Sequence, residues 1–193
     1  MQKKILIALD DSVHARHALR YAMAASDVIE DLHFVLAQAH PKTSAILAEE
    51  AKVDLKVRRE LEQIAKLQRT LAEETLGASR EILKEHGVDD ARIKTVALDY
   101  GRGIAQDLIT YAEKERLDAI VAGRRGISGL QAYFMGSVSN NLVQQSMEIP
   151  VWVVGGKIAP KKILVAVDGR ENALRALDHA AFMLGPPNGA DLT

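Results

Sequence analysis

Short apolar runs alternate with helical patterns along the chain. The runs of strand length lie at residues 3–9, 32–39, 92–98, 117–122 and 151–154, with a sixth at 163–167. Between and after them, apolar residues at helical spacing predict helices over residues 13–25, 45–86, 103–115, 138–147 and 171–184. This alternation is typical of βαβ units, a parallel sheet and right-handed crossovers. It predicts a doubly wound α/β fold, whose ligands bind beyond the carboxyl ends of the strands.

The start of the chain recurs near its end. Residues 3–22 read KKILIALDDSVHARHALRYA, and residues 161–180 read KKILVAVDGRENALRALDHA. Each copy is an apolar run that ends at an aspartate, Asp10 or Asp168, followed by a polar turn and a helical pattern of alanine and leucine. The repeat predicts a complete domain over residues 1–157 and an incomplete second repeat, a strand and a helix only, over residues 161–193.

The helical pattern over residues 45–86 is long for a domain of this size. It contains no proline and one glycine, Gly77, and as one straight helix it would reach roughly 60 Å. We therefore expect a break near Gly77 or a projecting segment. An apolar stripe runs along it, at Val57, Leu61, Ile64, Leu67 and Leu71. The part nearest the third strand is expected to pack on the sheet, and residues 45–66 to form an arm that contacts a partner.

Composition excludes several classes of protein. Lys and Arg number 25 against 26 Asp and Glu, so the net charge of −1 supplies no broad cationic field for nucleic acid or anionic membranes. There is no cysteine, which excludes disulfides and thiolate metal sites and fits a reducing compartment. No apolar run reaches the length of a membrane span, and the start is unlike a signal peptide. These features predict a soluble cytoplasmic protein without nucleic-acid or membrane partners.

A glycine-rich segment follows the fourth predicted strand. Gly123 and Gly126 permit sharp turns and a close approach of backbone to a ligand. Gly136 and Ser137 stand where the next helix starts, and a helix N-terminus presents unpaired N–H groups and a partial positive charge to phosphate oxygens. The segment is interpreted as a phosphate-binding loop.

Two adjacent arginines strengthen this interpretation. Arg124 and Arg125 lie between the first two glycines and can close over an anion with charge-assisted hydrogen bonds. The alternative is that the glycines only form a strand-to-helix turn and that Ser137 caps its helix.

The spacing Gly-x2-Gly-x9-Gly-Ser, placed between a buried strand and a helix, resembles the nucleotide-binding universal stress proteins. The opening KKILIALDDS is similar to that family's first strand and its aspartate, EIPVWVV at residues 148–154 is similar to its last strand, and Gly101 also matches. The resemblance covers residues 1–154. With the second copy that begins at Lys161, the whole chain resembles the start of a tandem member.

The resemblance implies a five-stranded parallel sheet in the order 3-2-1-4-5, to which the repeat adds a C-terminal strand-helix unit. The first and fourth strands then lie side by side, so Asp10 and Gly123 face one crevice. Asp10 is expected on the nucleoside side, the backbone of the second strand's end on adenine, and the glycine loop around the phosphates. The binding residues that the resemblance implies are Asp10, Gln38, Ala39, Gly123, Arg124, Arg125, Gly126, Gly136, Ser137 and Val138.

The same resemblance implies a function and an assembly. The chain is expected to bind ATP, with Mg²⁺ or Mn²⁺ held mainly by phosphate oxygens and water, and to act as a regulatory module in stress response through an unidentified protein partner. Family members dimerise through the last strand, so a homodimer is expected, with a possible exchange of the C-terminal strand-helix unit. This unit must be covered, because an exposed apolar strand is an association site.

Other readings stay open or are disfavoured. A slow nucleotide hydrolase or transferase of the adenine-nucleotide α-hydrolase-like group is the main alternative, although no residue stands out as a general base. A third reading is a dimerisation module with an empty crevice. Asp10, Asp11 and Asp99, together with Lys157, resemble the acidic pocket of a response-regulator receiver. This interpretation is disfavoured, because a receiver does not use the glycine-rich loop. His14 and His17, one turn apart, lack a third ligand for zinc and are interpreted as solvent-facing. Trp152 is interpreted as packing.

Overall fold

Five strands form one parallel sheet in the computed structural model, which describes residues 1–41, 45–124, 136–156 and 163–185. The strands are β1 (Lys3–Leu9), β2 (Leu32–Pro41), β3 (Ile93–Tyr100), β4 (Ala119–Gly123) and β5 (Val151–Val154). Their order is β3-β2-β1-β4-β5, and every pair is parallel. The predicted sheet and its strand order are confirmed.

Six α-helices complete the described structure. They are α1 (Val13–Ala25), α2 (Ala45–Val53), α3 (Leu55–Glu85), α4 (Ile104–Lys114), α5 (Ser137–Gln145) and α6 (Glu171–Leu184), with a 3₁₀ turn at Asp90–Arg92 before β3. Helices α1 and α6 match their predicted bounds, and α4 and α5 differ from theirs by one or two residues at each end. No helix of these residues is long and apolar enough to cross a membrane.

The sheet is buried on both faces because successive residues of a strand point to opposite sides. Ile5 and Ile7 of β1 pack on the side covered by α1, α3 and α6, whereas Leu6 packs on the side of α4 and α5. The continuous apolar sequence of β1 is the consequence of this double burial.

The long helical segment breaks at Asp54 and not near Gly77. The Oδ1 atom of Asp54 accepts hydrogen bonds from the backbone N–H groups of Lys56, at 2.7 Å, and Val57, at 3.4 Å. This cap satisfies donors that the start of α3 leaves open. Gly77 lies inside α3, where Leu76 packs into the core and holds the helix despite the glycine. The expected break near Gly77 is therefore wrong.

The two halves of α3 differ in their surroundings. The C-terminal half packs on the sheet through Leu76 and Leu83. The N-terminal half leaves Ile64, Leu67 and Leu71 more than half exposed. The expected contact of residues 45–66 with a partner stays a prediction.

The expected sixth strand is not formed. Residues 163–168 pair with no strand of the described sheet, and Leu164 is 96% exposed. A strand exists only through hydrogen bonds to a neighbouring backbone, and the described part of this chain supplies none to the segment. Helix α6 is formed and docks on the α1 side of the sheet, where Met183 joins the core.

Candidate functional site

A crevice opens at the carboxyl ends of β1, β2 and β4. β1 pairs in parallel with both β2 and β4, and the helices that follow β1 and β4, α1 and α5, pack on opposite faces of the sheet. Such a reversal of strand order leaves an opening at the sheet's edge. The described residues that line it are Ala8, Leu9, Asp10, Ser12, His14, Ala15, Ala37, Ala39, Ile104, Leu108, Ala122, Gly123, Gly136, Val138 and Ser139.

Gly123 is where α1 touches the end of β4. A Cβ atom built on Gly123 would lie 2.1 Å from the carbonyl oxygen of His14 and 2.3 Å from its carbonyl carbon. Both are backbone atoms, so no side-chain rotation relieves the overlap. Gly123 is therefore required so that the first turn of α1 can approach β4. From the sequence alone, this glycine is attributed to the close approach of a ligand.

The first turn of α5 faces the crevice without a side-chain cap. Gly136 is the N-cap, with φ −60° and ψ 151°, and has no side chain to accept a bond from the helix. The backbone N–H groups at the start of a helix have no intrahelical partners, and here they belong to Ser137, Val138 and Ser139. Ser137 is the first helical residue and its side chain is exposed. The alternative that Ser137 caps the helix is therefore wrong.

Ser139 ties α5 to β4. Its hydroxyl donates a hydrogen bond of 2.8 Å to the carbonyl oxygen of Gly123, and the residue is only 4% exposed. Sequence reasoning missed this residue. The available signal was its place in the first turn of the helix after the glycine-rich segment.

Asp10 and Ser12 shape the other side of the crevice. The Oδ1 atom of Asp10 accepts a 3.0 Å hydrogen bond from the backbone N–H of Ser12, and the Oγ atom of Ser12 accepts a 3.1 Å bond from Ala15 to cap α1. The Asp10 residue remains exposed. This geometry places one carboxylate at the mouth of the crevice, as expected.

His14 was also missed. It is half-buried and lines the crevice one turn after Asp10, and its ring centroid lies 6.4 Å from that of His17. The interpretation of both histidines as solvent-facing is wrong for His14. Among the described residues, no group of three or more His, Cys, Asp or Glu side chains is placed to hold a metal ion.

The end of β2 contributes alanines to the crevice. Ala37 and Ala39 line it, whereas Gln38 lies between them and its side chain points to the opposite face by strand alternation. Gln38 can therefore offer only backbone atoms to a ligand in the crevice, which is the contribution expected of it. Nε2 of His40, next along the strand, lies 3.0 Å from Oδ1 of Asp99 in β3.

Arg124 follows β4 directly. Its backbone N–H donates a 2.7 Å hydrogen bond to the carbonyl oxygen of Val154, which extends the β4–β5 pairing, and its side chain passes beside Gly155. The other predicted residues of this loop, Arg125 and Gly126, lie outside the described residues, as does Lys157.

The loop before α4 is held by Asp107. Its Oδ2 atom accepts hydrogen bonds from the backbone N–H groups of Gly101, at 2.9 Å, and Arg102, at 3.1 Å. Burial acts to raise the pKa of Asp107, but the backbone donors outweigh it and the pKa lies below its ordinary value. Gly103 has φ +129°, a backbone conformation open mainly to glycine. These contacts fix the start of α4, whose Ile104 lines the crevice.

The sequence is similar to that of a known protein family. A family model described as the universal stress protein family matches residues 1–155. Universal stress protein MJ0531 of Methanocaldococcus jannaschii is 32% identical over 84 residues, which cover 38% of this chain and 49% of the relative. The chain thus aligns with about half the length of this curated relative.

Solved structures share the architecture. A universal stress protein from Archaeoglobus fulgidus DSM 4304 has a TM-score of 0.66 at 21% identity, and the match covers 94% of this chain and 62% of that chain. A universal stress protein in complex with cAMP has a TM-score of 0.50 at 17% identity, covering 80% of this chain and 97% of that chain.

Proposed function

The chain belongs to the universal stress protein family, and from this premise we propose that it is an ATP-binding regulatory module that acts in stress response through a protein partner. One observation carries the proposal: the uncapped N-terminus of α5 opens into the crevice opposite the carboxylate of Asp10. Unpaired N–H groups and the helix dipole favour phosphate oxygens at such a position.

Different residues of the crevice are proposed to bind the phosphates, the ribose and the adenine. The phosphates lie at the first turn of α5, and Arg124, Arg125 and Gly126 are the further residues proposed to bind them. The ribose hydroxyls face Asp10, since a carboxylate accepts hydrogen bonds from them. Adenine enters between Ala39 and the start of α4, against apolar surface. The universal stress protein solved with cAMP supports an adenine nucleotide as the ligand class.

A divalent cation accompanies the phosphates. Mg²⁺ or Mn²⁺ takes oxygen ligands, and Asp10, the carboxylate that lines the described part of the crevice, is already assigned to the ribose hydroxyls. The ion is therefore held chiefly by phosphate oxygens and water.

The test is ATP titration by calorimetry with a matched pair of glycine variants. Gly136→Val should abolish binding, since its φ and ψ suit valine while the side chain covers the donors of α5. Gly101→Val should bind as the wild type does, because a Cβ there contacts nothing within 4 Å. Circular dichroism checks that both variants are folded.

Two results would overturn the proposal. Unchanged affinity in folded Gly136→Val removes the phosphate assignment. Turnover of ATP to ADP within seconds, followed by chromatography, identifies the chain as a nucleotide hydrolase instead of a module that holds its ligand.

We also propose a homodimer. Ile163, Leu164 and Val167 are at least half exposed, and no backbone hydrogen bond joins residues 163–167 to another described residue. Pairing of this segment with its copy in a second chain buries the apolar side chains and satisfies the backbone. An exchange of α6 between chains would preserve the contacts that it makes here.

A further inference from the structure

Helix α6 docks on the sheet through one aromatic cluster. The indole N–H of Trp152, in β5, donates a 2.9 Å hydrogen bond to Nε2 of His179 in α6. Tyr21 of α1 stacks edge-to-face on the same indole, with ring centroids 6.3 Å apart and planes at 86°. Trp152 thus packs as expected, and this indole, the only one in the chain, reports directly on the docking of α6.

The other contacts of α6 are few. Met183 is buried at 2% exposure, and Phe182 packs at the edge of the same core. Arg175 reaches the carbonyl oxygen of Glu148 at a long 3.5 Å, while Leu174 and Leu177 remain exposed. Because residues 163–168 pair with no described strand, this face of α6 holds the helix to the domain.

The hydrogen bond requires a neutral imidazole. Nε2 of His179 can accept a hydrogen bond only when the neutral ring carries its proton on Nδ1. An imidazolium has two N–H groups and no acceptor. Burial lowers the pKa of His179, while the charge of Asp118 acts in the opposite direction. Docking therefore favours the neutral form.

Several titratable or charged groups surround α6. The elements packed against the helix contribute Tyr21 from α1, Lys3 from β1, Asp118 before β4 and Glu148 before β5. The helix itself carries Arg175 and Asp178. Of these groups and His179 itself, only the histidine has its ordinary titration between pH 5 and 8.

We propose that α6 is a pH-sensitive latch, which detaches from the domain when His179 takes up a proton and uncovers the Trp152–Tyr21 face beside β5. The sign follows from linkage: the undocked histidine binds the proton more strongly than the docked one. The stabilisation of docking by the neutral ring is therefore fully present above the ordinary histidine pKa of about 6.5. It weakens below that pH by up to about tenfold per pH unit, until the docked form is itself protonated.

The experiment uses the full chain and three readouts between pH 8 and pH 5. Tryptophan emission follows Trp152, hydrogen exchange corrected for intrinsic pH dependence follows the amides of α6, and NMR follows the titration of His179. We expect emission to shift to the red and protection of residues 171–184 to fall at least tenfold as His179 titrates. Protection of β1 should stay unchanged.

Two glutamine variants separate His179 from other histidines. His179→Gln retains an acceptor near the Nε2 position but does not titrate, so α6 should stay protected down to pH 5. His17→Gln, on α1, should behave as the wild type does. His179→Ala, without an acceptor, should lose protection of α6 at every pH.

The latch is overturned by any of three results. In the wild type, α6 retains its protection while His179 titrates; or the transition persists in His179→Gln; or its midpoint follows another histidine. The first result shows that protonation is tolerated in the docked state, and the other two show that another group controls release.

Discussion

At the scale of single residues, the crevice depends on how closely α1 approaches β4. The contact at Gly123 is backbone against backbone, and Ser139 then fixes the carbonyl group of the same residue. One position thus joins three elements. Substitutions here test packing, whereas substitutions at Gly136 test ligand binding.

Gly123→Ala should destabilise the fold by about 2 kcal/mol or more, because a main chain must move to admit the methyl group. Gly77→Ala is the matched control, since a Cβ there contacts nothing within 4 Å and the residue is helical. It should stabilise the chain by about 0.5–1 kcal/mol. Urea unfolding measures both, and equal stability of Gly123→Ala and the wild type would contradict the close approach.

Ser139→Ala should lower the free energy of unfolding by about 1 kcal/mol, since it leaves the half-buried carbonyl group of Gly123 without its hydroxyl donor. Ser137→Ala removes an exposed hydroxyl and should leave stability within about 0.5 kcal/mol of the wild type. It should weaken ATP binding by about 1–2 kcal/mol if the hydroxyl donates to a phosphate. Unfolding and calorimetry on the same samples separate the two serines, and reversed effects would reject their assignment.

At the scale of elements, the apolar pattern predicted the five strands of the sheet, which are buried on both faces, and the bounds of most helices. It failed within residues 45–86. Helix propensity points to Gly77 as the weak place, but packing of Leu76 overrides it, and the cap at Asp54 is a local hydrogen-bond effect. The prediction of a strand at residues 163–167 was wrong for another reason. An apolar run shows that a segment can be a strand, but not which neighbouring strand would pair with it.

The residues of the candidate site also fall into predicted and missed ones. Asp10, Gly123, Gly136 and Val138 line the crevice because the glycine spacing and strand ends specify backbone position. His14 and Ser139 were missed because the direction of a side chain depends on how its helix is set against the sheet, which no local pattern records.

The start of α4 should be sensitive to acid through Asp107. The pKa of this carboxyl is lowered, so its stabilising effect is present above the ordinary aspartate pKa and is lost as pH falls through the lowered value. Asp107→Asn should therefore reduce the melting temperature at pH 7, and the difference from the wild type should shrink toward pH 3. Calorimetric scans across this range provide the measurement, and a difference independent of pH would assign the effect to shape and not to charge.

At the scale of the whole molecule, two of the apolar surfaces that the described chain leaves open are candidate interfaces: the segment 163–167 and the predicted arm of residues 45–66. The two surfaces differ in whether their backbone hydrogen-bonding groups are already paired. The arm's N–H and C=O groups are used within its helices, whereas those of the segment are open to a second chain. Pairing of the segment therefore adds hydrogen bonds to apolar burial, which favours it as the dimer interface.

Leu164→Glu should dissociate the homodimer at neutral pH, because it places a charge where two copies of the segment pair. Val53→Glu is the matched control, since Val53 lies on the arm and is 87% exposed, against 96% for Leu164. Sedimentation equilibrium of the full chain and both variants should give a dimer for the wild type and for Val53→Glu, and a weakened dimer for Leu164→Glu. If Val53→Glu dissociates instead, the arm is the interface, and if the wild type is a monomer, the segment has no partner copy. Because neither side chain touches the crevice, ATP affinity per chain should be the same in all three, which separates the failure of assembly from the failure of nucleotide binding.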